Sequence, residues 1–67
     1  MNNRTEIKNK IEKIVNKYCV DLVKIIFSWG IADIILSHNI YYKEQENMIN
    51  EIEEVISLNK VEYLDIA

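Results

Sequence analysis

The sequence predicts an all-α protein, an antiparallel helical hairpin or small three-helix unit that associates into a helical bundle. Three observations lead there. Apolar residues at Ile7, Ile11, Ile14, Val15, Tyr18, Leu22, Ile25, Ile26 and Trp29 recur at spacings of three and four, the repeat that places side chains on one stripe of a helix. A second arc of Tyr41, Tyr42, Gln45, Met48, Ile49, Ile52, Val55 and Ile56 repeats the pattern. Between and across them, residues 18–36 are apolar or aromatic at fourteen of nineteen positions. That load is hard for so short a chain to cover alone, since a domain of about 60 residues leaves roughly 40% of its unfolded-state surface exposed.

The first helix is expected over about residues 5–29, with Thr5 as its N-cap. Glu6, Lys8, Lys10, Glu12, Lys13, Asn16 and Lys17 fill the solvent faces of its first half, as a surface helix requires. Beyond residue 18, Cys19, Val20, Val23 and Phe27 make it apolar nearly all round, the mark of a buried helix. The β-branched residues Val20, Val23, Ile25 and Ile26 would also suit a strand. Strict alternation nevertheless fails at Leu22-Val23 and Ile25-Ile26-Phe27, so the helical stripe decides. Gly30 predicts a break, because a helix continued through it would bring Asp33 onto the apolar stripe. Residues 31–37 form a short packed segment, and Ser37-His38-Asn39 reads as a connection with Asn39 as the next N-cap. The second long helix spans about residues 40–57, and the tail, residues 58–67, is a short strand or loose end.

Sixty-seven residues make a single domain, 1–67, and 49% hydrophobic with 28% charged residues is the composition of a folded chain. The net charge of −3 divides into +3 over residues 1–30 and −6 over residues 31–67, so two segments folded together attract. Thirteen Ile, eight Asn and seven Lys suggest AT-rich coding, as in a low-GC bacterium or its phage. Cys19 is the only cysteine and sits among apolar neighbours, which predicts a buried, inert thiol and a reducing compartment. The N-terminus lacks the apolar run of a secretory signal, so a cytoplasmic location is expected. Asp21, Lys24 and Asp33 interrupt the apolar stretch, and each central charge costs about 2.5–3.5 kcal/mol to insert in a bilayer. No membrane span is expected.

The chemistry-bearing residues do not assemble a motif. His38 has acidic neighbours but no second His, no Glu-x-x-His and no Cys pair, so no metal site is expected. Ser28 lacks both a nucleophile-elbow context and a base, and a single glycine cannot build a phosphate loop. No catalytic residue, metal or cofactor is therefore assigned, and the expectation is not an enzyme. What remains is binding. The contact with a protein partner, or with a second copy in a homo-oligomer, is placed on Val20, Val23, Phe27, Ile31 and Ile34, with Phe27 pointing away from the main stripe. The expected role is a small protein-binding inhibitor or regulator, of phage- or plasmid-borne inhibitor or antitoxin type. The alternatives are a self-assembling structural subunit or a dimeric nucleic-acid binder using Arg4, Lys8, Lys13 and Lys17, the latter disfavoured by the acidic net charge.

Overall fold

The computed structural model describes residues 3–56 and 60–66. In chain order they form α1 (Asn3–Asn16), β1 (Leu22–Ser28), β2 (Ile31–Leu36), α2 (Tyr42–Val55) and β3 (Lys60–Ile66). The fold is α+β, which corrects the all-α helical hairpin. The strands make one mixed sheet in the order β1-β2-β3, with β1 antiparallel and β3 parallel to the central β2. Parallel neighbours need a long crossover, and α2 supplies it between β2 and β3. The two helices pack against each other, α1 also against β1 and α2 against β3.

The first helix stops at Asn16 because the chain tightens and then reverses hand. Lys17, Tyr18 and Cys19 donate backbone N–H bonds to the carbonyls of Ile14, Val15 and Asn16 at 3.0–3.2 Å, the three-residue spacing of a closing turn. Cys19 then takes φ 61°, a left-handed position that ends helices. Its thiol is exposed rather than buried. The expected helix over about 5–29 is thus a helix to residue 16 followed by a strand, and the expected packed segment 31–37 contains the second strand of the same hairpin, Ile31–Leu36. The chain does turn at Gly30: Trp29 and Gly30 have φ 52° and 75°, and two central residues with positive φ are what a type I′ hairpin needs. At the open end of the hairpin Ser37 N–H donates to the Asp21 carbonyl, and Asp21 N–H to Ser37 Oγ, each at 3.0 Å.

The second helix lies where the periodicity put it, but its N-cap is Tyr41, with no side-chain hydrogen bond, in place of Asn39. Tyr41 and Tyr42, assigned to its apolar arc, are exposed. Residues 60–66 of the tail form an edge strand. Among the described residues no helix is long and apolar enough to cross a membrane.

The core lies between the helices and one face of the sheet. It contains Ile11 and Val15 of α1, Val20, Ala32, Ile34 and Leu36, Met48 and Ile52 of α2, and Ile56. Leu22, Ile25 and Phe27 of β1 and Val61 and Leu64 of β3 pack against it. Glu51 on α2 ties the end of α1 to this layer by accepting from Lys17 Nζ and Tyr18 Oη. These bonds, the lysine's first, hold the Glu51 carboxyl below its usual pKa, and the shared contact raises that of Tyr18. Removing a fully buried Ile side chain to Ala costs about 2–5 kcal/mol. A domain of this size has about 3–10 kcal/mol in total. Ile34→Ala should therefore lower the thermal midpoint steeply or abolish cooperative melting by circular dichroism; a midpoint within a few degrees of wild type would contradict this core.

Candidate functional site: the open face of the sheet

Because both helices lie on one side, the other face of the sheet has no layer over it among the described residues. Its composition follows from the register. On β2, Ala32, Ile34 and Leu36 are buried under the helices while Ile31, Asp33 and Ile35 are half-buried, so the second set occupies the open face. Their partners on β1 are Ser28, Ile26 and Lys24, and Asp65 on β3 pairs with Ile35. The result is an apolar surface of Ile26, Ile31 and Ile35 around a carboxyl pair, Asp33 and Asp65, with Lys24 at one edge.

Trp29 extends this surface at the hairpin tip. It is 97% exposed and lines a depression of about 250 Å³ with Ile26, Ser28, Ile31 and Asp33. Its backbone is in the left-handed region, which costs a non-glycine residue about 1–2 kcal/mol. Nothing local offsets that cost, since the indole buries almost nothing. Asn accepts the same backbone far better, so Trp29→Asn should raise the thermal midpoint by about 4–8 °C, the shift expected of roughly 1 kcal/mol in a domain of this size. An unchanged or lower midpoint in a thermal melt would refute the strain at this turn.

Asp33 is the second conflict on the face. Its Oδ1 is buried with no hydrogen-bond partner among the described residues. Desolvation raises its pKa, and the hydrogen bond and charge of Asp65 raise it further, since two neighbouring carboxyls are best satisfied by sharing one proton. A raised folded pKa means that the native state holds the proton more tightly than the unfolded chain. The contribution of Asp33 to stability therefore falls as pH rises from the ordinary carboxylate range through the raised value, and stays low above it. Asp33→Asn should melt above wild type at neutral pH, with the gap closing toward pH 4; a gap that stays constant across that range would remove Asp33 as its source.

The residues assigned to a contact from sequence fall in different places. Val20 and Ile34 are in the core, and Phe27 packs toward the helices. Val23 is 51% exposed on the edge strand, and Ile31 lies on the open face. The structure does not bring these five together as one patch. Of the basic set, Lys8 and Lys13 are exposed on α1, Lys17 is paired with Glu51, and the Arg4 side chain lies outside the described residues. His38 is exposed, with Nδ1 3.2 Å from Ser37 Oγ. Among the described residues no group of three His, Cys, Asp or Glu side chains could hold a metal ion. Trp29, Ile26 and Asp33 were not assigned to a contact from sequence. The available signals were a tryptophan directly before the only glycine and a carboxylate that sat badly on the helical stripe.

No family model matches this chain, and no curated protein and no solved structure matches it either.

Proposed function

We propose that the chain is a small protein-binding module, a regulator or inhibitor of the phage- or plasmid-borne inhibitor or antitoxin type acting in the cytoplasm, and that it makes its contact through the open face of the sheet with Trp29 at its end. The observation that carries the reading is Trp29, a fully exposed indole held in an unfavourable backbone conformation beside an uncovered apolar surface. Sequences keep a local conflict of that kind where function needs it, and tryptophan is the residue most enriched among the few that dominate protein interfaces. Ile26 at 40% exposure and the half-buried Ile31 and Ile35 surround the anchor with apolar area, while Lys24, Asp33 and Asp65 supply polar groups that can fix a partner's register.

Affinity capture from the producing cell, run in parallel with wild type and Trp29→Asn, tests this reading. Because that substitution relieves backbone strain, it separates binding from folding. Wild type should retain one protein in near-stoichiometric amount, depleted at least tenfold on the variant; equal recovery by both sinks the proposal. A titration with mixed-sequence DNA and RNA at two salt concentrations serves as the control for the basic face of α1. Salt-sensitive binding that weakens in Lys8→Glu and Lys13→Glu would replace this reading with nucleic-acid recognition.

A further inference from the structure

We infer that the open face of the sheet is closed by a second copy of this chain, related to the first by a two-fold axis running along β2. The inference rests on the reading of that face as a protein contact and names its occupant. The strand register carries it. Ile35 on the central strand is the partner of Lys24 on β1 and of Asp65 on β3, so the three make one rung across the face, with a cation at one edge and an acid at the other. Neighbouring strands are about 4.8 Å apart, which places Lys24 and Asp65 two strand spacings from each other. Among the described residues the ion pair formed is that of Lys17 with Glu51, not one involving Lys24.

An axis along β2 exchanges β1 with β3 and leaves each residue at its own level along the strands. It sets Lys24 of each copy opposite the partner's Asp65, twice by symmetry, and stacks Ile35 on its counterpart with Ile26 and Ile31 in the same layer. Two sheets stacked in this way pack nearly aligned and about 10 Å apart, a gap that a lysine stem and a carboxylate span together. The other two-fold in the plane of the face, perpendicular to the strands, lays β1 on β1 and β3 on β3, so Lys24 never meets the partner's Asp65. Only the axis along β2 joins that pair.

The same geometry places Asp33 on the axis, facing its own counterpart. Where the two carboxyls are ionised that juxtaposition opposes association, and the footprint is small: three strands by six residues is about 14 by 20 Å, well below a standard interface of about 800 Å² per partner. The dimer is therefore reversible and concentration-dependent rather than obligate.

Sedimentation equilibrium on the full chain tests the inference. Wild type should move from its monomer mass of 8.0 kDa toward twice that value between low micromolar and millimolar concentration. Lys24→Glu and Asp65→Lys should each weaken the dimer at least tenfold, with the fold checked by circular dichroism. An equimolar mixture of the two variants should associate as wild type does, because every facing pair then joins opposite charges; the double variant K24E/D65K should also dimerise alone. Asp33→Asn should tighten association several-fold. A wild-type mass that stays at 8.0 kDa up to millimolar concentration, or single variants whose mixture gives no rescue, overturns the second copy as occupant. A heterologous partner still lost in Trp29→Asn would in that case leave the binding face itself intact.

Discussion

Both edges of β2 are hydrogen-bonded, and its alternate residues Ala32, Ile34 and Leu36 are driven under the helices while Ile31, Asp33 and Ile35 are turned the other way. The remaining structure depends on that one-sided burial. Helix α1 covers the β1 side and α2 the β3 side, and the two meet along stripes that include Ile11, Val15, Met48 and Ile52. A chain this short has two helices to spend on a sheet with two faces. Covering one face completely yields a dry core, whereas dividing the helices between faces would leave both half-wet. The open face is the geometric remainder of that choice, and the surplus apolar surface of the sequence ends up there.

Besides the left-handed Cys19 after α1, two conflicts between local preference and observed structure lie at this remainder. Trp29 holds a left-handed backbone with its ring in solvent, and Asp33 holds a desolvated carboxyl beside another acid. The opposite side of the sheet is locally consistent: β-branched and aliphatic residues fill the buried positions, and no described polar residue is buried there. Folding alone would favour Asn at the turn and an uncharged residue on the central strand. That the chain carries the costlier residues next to each other, around one depression, is the physical reason for looking for function on this face.

The helices were legible from periodicity because their stripes are long and regular, Ile7 to Tyr18 on one and Gln45 to Ile56 on the other. The two strands of the hairpin were not, whereas a short strand was one of the two readings of the tail, and the cause is specific. On β1 the register slips at Val23, so the inward residues are Leu22, Ile25 and Phe27, spaced three and then two apart. On β3 a slip beside Val61 likewise separates the inward Val61 and Leu64 by three. An extra residue in a strand shifts every later side chain to the other face, which converts a period of two into spacings that continue a helical stripe. Trp29 completed the false stripe from the hairpin tip. The candidate face was hidden by the same error, since a helix reading assigns Ile26 to the core and Phe27 to the surface, opposite to their places on the strand.

By itself the sequence determined that the chain folds, that α1 and α2 are helices with Ile11, Val15, Met48 and Ile52 inward, that the chain reverses at Gly30, and that it carries more apolar surface in residues 18–36 than it can comfortably hide. These follow from composition, from stripes many residues long and from the backbone freedom of one glycine, all of which act locally. Whether residues 22–36 wind or extend was decided only by the tertiary structure. Their β-branched content suits either form, and the balance is set by partners distant in sequence: β3 on the far edge of β2, and two helices on one face for the inward side chains to pack against. The location of the open face was decided in the same way, because a face exists only once three strands have taken their register.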